Sequence, residues 1–560
     1  MPSDDRPFSR RGFVGASAAS AFVILSEANG YPRQRVLAPS RRSQILRRSA
    51  PQDDRGRETF ALDELSIADL QAGLASGTFT ARSLVEQYRE RVDALDQKGP
   101  SLNHVIEHNP DALAIADRLD ADRRAAKKLL GPLHGIPILI KDNIDTADAM
   151  HTSAGSLVLA RSTPARDSFV AQRLRDAGAI ILGKTNLSEW ANFRSTHSSS
   201  GWSGRVGQGR NPYALDRNTS GSSSGSAGAT AASYCAAAIG SETDGSITSP
   251  SAACSLVGIK PTVGLVGRSG IIPISHSQDT AGPMARTVRD AAIVLGALTG
   301  SDPSDEATRA SAGKAYADYT RFLDPAGLRG ARIGVVRERY MGYSPKTDKL
   351  VEHALDLFKH EGATVVDPAN IQTAGKFDEA EFEVLLYEFK ADLNVYLSSL
   401  GPAAPAASLA EVIRFNEANA VREMPYFGQE IFEMAQKKGP LSDTKYATAR
   451  AKCVRLARTQ GIDAVMTKHR LDALVAPTQG PVWLIDLVNG DAGGYQSFTS
   501  PAAVAGYPHV TVPMGFVQGL PVGLSFVGRA WSEPVLLKLA YAFEQATKAR
   551  KPPTFATTAA

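Results

Sequence analysis

Apolar residues first recur at regular spacing near Phe60. Over 66–77 and 80–96 they return every three to four positions. That spacing predicts two amphipathic helices, the second capped by Thr80. A third helix is expected over 109–130, ending at the pair Gly131-Pro132. The period then changes. Residues 136–140 form a short unbroken apolar run, the pattern of a buried strand, and Lys141 stands at its end. A helix over 169–177 and a buried strand over 179–182 follow, and strand and helix signals keep alternating to about Gly300.

From 303 to 463 the pattern turns helical, with one strand-like piece at 331–336. Buried strands return at 474–476, 509–513 and 523–528, and a last helix is expected over 534–547. Alternation at both ends of the chain predicts one shared sheet, with 303–463 as a helix-rich insertion. No internal repeat is visible. The ordered unit is thus expected over 60–550, with 551–560 as a tail.

Composition changes this picture little. The chain has 560 residues, 43% of them hydrophobic and 21% charged, enough for a large core without staples. Cys235, Cys254 and Cys453 are odd in number and show no paired spacing, so they read as small core residues. The net charge is +4, yet residues 29–57 alone hold eight arginines against Asp53 and Asp54. The remainder is close to neutral, which argues against a nucleic-acid partner.

That basic stretch follows an address. Arg10-Arg11 leads into an apolar, alanine-rich run over 15–25 and then Ser26-Glu27-Ala28. The run is shorter than the roughly 20 residues that span a bilayer, so no stable membrane insertion is expected. Residues 1–28 read as a twin-arginine export signal and 29–59 as a disordered Arg/Ser/Pro-rich linker, which places the protein in the periplasm or outside the cell.

Several motifs match by letter and fail by physics. Residues 178–185 (GAIILGKT) spell a phosphate loop, but their middle is strand-forming rather than a bare loop. Residues 221–225 (GSSSG) fit a nucleophile elbow on Ser223, but the preceding 211–219 is polar and turn-forming where an elbow needs a buried strand. Ser311 and Lys314 match S-x-x-K without its companion motifs. No metal-ligand spacing is present, and neither cofactor nor metal is expected.

The stronger signal combines three positions. Ser222 lies in 219–226 (TSGSSSGS), Ser246 in 240–247 (GSETDGSI), and Lys141 in 131–145 (GPLHGIPILIKDNID). A serine hydroxyl is a poor nucleophile until a base takes its proton, and a desolvated neutral lysine can begin that transfer. The Ser/Gly tract could be a linker, but 226–239 continues as a small-residue helix of core-like composition. These positions point to acyl-transfer chemistry.

With those segments, and with 474–478 (LVAPT), 505–508 (AGYP) and 511–515 (TVPMG), the chain resembles the amidase signature family over about 60–550. The resemblance implies an α/β/α sandwich, a large mixed central sheet covered by helices on both faces. By position it implies Ser246 as the acylated nucleophile and Ser222, after a cis peptide bond, as the bridging serine. Lys141 would be the base, and the backbone N–H groups of Thr243, Asp244, Gly245 and Ser246 the oxyanion hole. Ser220, Ser224, Glu242, Asp244 and Thr248 depart from the commonest pattern, which bears on subgroup rather than on the three catalytic positions. Residues 271–275 (IIPIS), 278–286 (QDTAGPMAR) and 386–390 (LYEFK) are most similar to the family's bacterial peptide-deamidating members. The expected activity is therefore hydrolysis of carboxamides, with C-terminally amidated peptides as substrate and no obligate protein partner. Broader acyl- or arylamide hydrolysis stands as the alternative, and an inactive amidase fold used for binding as the reading from another class.

Overall fold

The computed structural model describes residues 60–401, 404–492 and 497–560. The expectations for 1–28 and for 29–59 lie outside them. Thirteen strands can be followed in chain order: β1 (Val105–His108), β2 (Pro137–Lys141), β3 (Ile180–Thr185), β4 (Trp202–Ser203), β5 (Gly207–Gln208), β6 (Ala237–Glu242), β7 (Val257–Lys260), β8 (Thr280–Ala285), β9 (Arg332–Val335), β10 (Thr364–Val366), β11 (Ala473–Pro477), β12 (His509–Val517) and β13 (Leu520–Val527). Eleven of them form one mixed sheet in the order β1-β3-β2-β6-β8-β7-β12-β13-β11-β9-β10, while β4 and β5 pair separately. Strands from both ends of the chain meet in the middle of that sheet, as expected.

Every residue of β2, β3, β6, β8 and β13 is buried. Successive side chains on a strand point to opposite faces, so strands buried at each position require cover on both faces. Helices supply it. This confirms the α/β class and explains why 178–185 cannot cradle phosphate. Lys184 lies inside β3, and its Nζ donates to Thr152 Oγ1 at 2.9 Å.

The helix Ala81–Leu95 begins where the spacing placed it, with Thr80 Oγ1 accepting from Ser83 N and the Ser83 hydroxyl answering on Thr80 N at 3.0 Å. Such a cap satisfies amides that the first turn leaves without partners. The helix expected over 109–130 is shorter, Ala112–Ala126. Cys235, Cys254 and Cys453 are free and buried, as their spacing suggested. No helix among the described residues is long and apolar enough to cross a membrane.

The strand-like piece expected at 331–336 is β9, within a segment that is otherwise mostly helical; β10 was not foreseen. β9 pairs in parallel with β11, and β10 with β9, extending the main sheet to its edge. β1 was not foreseen either; only its first residue is fully buried, and its pairing with β3 shifts register between Val105 and Glu107. Residues 551–560, expected as a tail, are hydrogen-bonded to the domain. Leu215 N donates to Ala556 O at 2.8 Å and Phe555 N to Pro212 O at 3.0 Å, fastening this segment beside the polar turn before Ser222.

Candidate active site

β2 and β6 run parallel, with Ile138, Leu139 and Ile140 opposite Ala237, Ala238 and Ile239. Parallel neighbours end on the same side of a sheet, so Lys141 and Ser241 emerge together. Lys141 is fully buried. Its Nζ lies 2.8 Å from Ser222 Oγ, 2.9 Å from Ser241 Oγ and 3.2 Å from Ser241 O. The Asn143 side-chain amide donates to the same Ser241 Oγ at 2.9 Å. Burial lowers the Lys141 pKa to about 7, against the opposing pull of the Asp279 and Glu242 carboxylates.

Ser222 follows a cis peptide bond from Gly221, as the resemblance implied. A Cβ on Gly221 would collide with the Ser188 hydroxyl, so that side chain would have to move. The serines beside Ser222 are structural. Ser223 N donates to Ser246 O at 3.1 Å, and the Ser223 hydroxyl to Ser241 O at 3.1 Å. Ser224 Oγ donates to Ser220 O at 2.7 Å. These bonds draw the Ser/Gly tract, the end of β6 and the Ser246 turn into one knot. A flexible linker is thereby excluded. The helix Ser224–Ala231 that follows is buried throughout, and a Cβ at Gly225 would meet the backbone of Asn186 and His104 at 2.5 Å.

Ser246 sits after Gly245, whose φ of +82° suits glycine, and is 9% exposed at the edge of this buried cluster. Among the described residues its hydroxyl takes no hydrogen-bond partner. Its turn is held from three directions. The Glu242 carboxylate accepts from Ile247 N at 2.7 Å and Thr248 N at 2.9 Å. The Asp279 carboxylate accepts from the Thr243 hydroxyl at 2.5 Å, and Gln278 Nε2 donates to Thr243 O at 3.3 Å. The Ser500 hydroxyl donates to the Asp244 carboxylate at 2.6 Å. Two of the departures from the common pattern thus have work to do: Glu242 holds the amides after Ser246, and the Thr248 hydroxyl reaches that carboxylate at 3.2 Å.

The structure therefore brings Lys141 and Ser222 into contact and ties the Ser246 turn to both through Ser223 and Ser241. Sequence reasoning missed Ser241, Asn143 and Asp279 as supports. Ser241 and Asn143 lie inside quoted motifs, beside residues that drew the attention; Asp279 enters from a segment used only to judge subgroup.

Comparison with known proteins shows the family. The sequence model of the family described as Amidase matches residues 83–537. The chain belongs to the amidase family. A probable amidase of Arabidopsis thaliana is 43% identical over 505 residues, covering 89% of this chain and 93% of that protein. The native peptide amidase of Stenotrophomonas maltophilia superposes with a TM-score of 0.85 at 52% identity, covering 89% of this chain and 99% of that one. An amidase family protein of Bacillus anthracis superposes at 0.80 with 36% identity, covering 88% and 93%. As an amidase, the chain is an amidohydrolase that acts on amides.

Proposed function

We propose that this amidase hydrolyses the terminal carboxamide of C-terminally amidated peptides through an acyl-enzyme on Ser246. The observation that carries the mechanism is the 2.8 Å contact between Lys141 Nζ and Ser222 Oγ in full burial. A neutral lysine has two N–H donors and one lone pair. With the N–H groups directed at the two Ser241 oxygens, the lone pair faces the Ser222 hydroxyl.

The steps balance on these groups. Ser222 gives its proton to Lys141 and takes the proton of Ser246. The Ser246 oxygen then attacks the amide carbon, whose π electrons pass to oxygen. Backbone N–H groups of Thr243, Asp244, Gly245 and Ser246 stabilise that oxyanion; one such donor contributes about 3 kcal/mol. Collapse expels ammonia, which leaves with a proton returned from the lysine ammonium through Ser222. Water then attacks the ester by the same relay and releases the acid.

Peptide amides are favoured as substrate by the 278–286 and 386–390 segments and by the fold shared with a protein named peptide amidase. The arginine pair and apolar run in 1–28 support export by the twin-arginine route to the periplasm or beyond. The test is ammonia release from a panel of amidated peptides, free amino-acid amides, aliphatic amides and anilides. Highest kcat/KM on peptide amides is expected; preference for aliphatic or aryl amides would overturn the substrate assignment and leave a broad amidase.

A further inference from the structure

A cavity of about 510 Å³ has a wall that includes Arg450, Arg458, Tyr446, Tyr507 and Trp531 and none of Lys141, Ser222 and Ser246. Two guanidinium groups share it. Among the described residues neither Arg450 nor Arg458 forms an ion pair with a carboxylate. Arg458 spends Nε on Ala505 O at 2.6 Å, lies 5.7 Å from the centre of the Tyr507 ring and lines the cavity. Burial, and then the charge of Arg450, hold its pKa below the usual arginine value.

Acidic side chains nearby are already engaged. Asp463 accepts from the Tyr507 hydroxyl at 3.0 Å and pairs with Arg529 at 3.5 Å. Glu388 accepts from the hydroxyls of Ser277 at 2.5 Å and Tyr446 at 2.6 Å, and faces His276 at 3.3 Å. Asp392 pairs with the same His276 at 2.8 Å. His276, Glu388 and Asp392 also stand close enough to hold a metal ion, but here the imidazole has both carboxylates as its own partners. Two like charges therefore share one aromatic-walled space, and the carboxylates nearest them, Asp463 and Glu388, are held by other partners.

We propose that this cavity binds a carboxylate-bearing ligand between Arg450 and Arg458. The planar guanidinium fork matches a carboxylate in two-point geometry, and the rings of Tyr507 and Trp531 suit an organic anion with some apolar body. The site adjoins the acyl-transfer turn through two short segments. Ser277 in its wall precedes Gln278, which touches Thr243 O. Gly506, also in the wall, follows the helix Ser500–Ala505, whose first residue holds Asp244. The carboxylate comes either from an acidic residue of the substrate or from a free small acid.

Calorimetry with glutarate on the full chain, at neutral pH and low salt, tests the site without requiring turnover. Wild type should bind, and Arg450→Gln should bind about ten-fold more weakly, a loss of about 1.4 kcal/mol. In parallel, kcat/KM is compared for two short peptide amides that differ only in Glu against Gln. If the carboxylate comes from substrate, wild type prefers the Glu peptide about ten-fold, Arg450→Gln loses that preference, and turnover of the Gln peptide is unchanged. If it comes from a free acid, glutarate binds and the two peptides are equivalent. Wild type that neither binds millimolar glutarate nor distinguishes the peptides overturns the proposal. Both wild-type measurements decide this without the variant. Glutarate binding by a protein inactive on every amide would sink the catalytic reading alone.

Discussion

The Ser241 hydroxyl oxygen stands 2.9 Å from Lys141 Nζ, and the carbonyl oxygen of the same residue 3.2 Å away. One residue thus engages the lysine twice and turns its third direction to Ser222. Ser241→Ala removes the hydroxyl and leaves the carbonyl, so the nitrogen is held less firmly. About a ten-fold fall in kcat is expected, with KM for a small amide nearly unchanged. Lys141→Ala, which removes the base, should cost about 10²–10⁴-fold. Steady-state ammonia release separates the two, and a Ser241→Ala enzyme as slow as Lys141→Ala would mean that Ser241 does more than hold the lysine.

The acid limb of the pH profile should report Lys141. Its pKa is about 7, so below that pH the ammonium form dominates and no lone pair remains to take a proton. Activity should fall about ten-fold per pH unit well below the inflection and level off above it. Asp279, itself pushed up to about 6 by burial, raises the lysine pKa by its negative charge. Asp279→Asn therefore should move the inflection to lower pH. Measuring kcat/KM across pH 5–9 checks the sign; an inflection moving upward would contradict the assignment.

How much of this was legible beforehand depended on range. β2 and β3 were visible because strands buried on both faces need continuous apolar runs, and 136–140 and 179–182 supply them. β10 was not, since Thr364, Val365 and Val366 form a three-residue edge strand stabilised by its neighbour β9 rather than by its own pattern. β1 carries a bulge and a glutamate, which break the alternation that would mark it. At the site, Lys141, Ser222 and Ser246 stood out through their glycine-rich settings. Asn143 and Ser241 meet only because β2 and β6 lie side by side, a contact spanning 98 residues of sequence. No local periodicity encodes it.

The three consecutive serines should differ sharply. The Ser222 hydroxyl touches Lys141, the Ser223 hydroxyl is spent on Ser241 O, and the Ser224 hydroxyl on Ser220 O. Ser222→Ala should therefore lose about 10²–10⁴-fold in kcat, as loss of a proton-transfer group does. Ser223→Ala and Ser224→Ala each forfeit one ordinary hydrogen bond, about 1 kcal/mol of stability, and should keep most activity. Ser246→Ala should release no ammonia above background while remaining folded. Single-turnover assays with circular dichroism distinguish these outcomes. Activity lost at Ser223 and kept at Ser222 would restore the elbow reading.

Glu242 and Lys260 should couple the stability of this turn to pH. Glu242 is buried and accepts two backbone amides after Ser246; Lys260, also buried, is held down to about 8 by burial against the attraction of Glu242. Glu242→Gln keeps the shape but removes the charge that Lys260 answers and sets an amide group against backbone donors. A lysine with a pKa of about 8 can shed its proton at pH 7 for about 1.4 kcal/mol, which bounds the part of the loss that comes from the missing charge. The loss should be largest near neutral pH, where Lys260 is protonated, and smaller at pH 9 and above, where the lysine is neutral in the folded protein. Thr248→Val, which deletes only the 3.2 Å contact, should cost no more than about 1 kcal/mol at either pH. Urea unfolding of the variants at two pH values reads this directly: a Glu242→Gln deficit independent of pH would show that the carboxylate acts only as an acceptor for Ile247 and Thr248, and not as the counter-charge of Lys260.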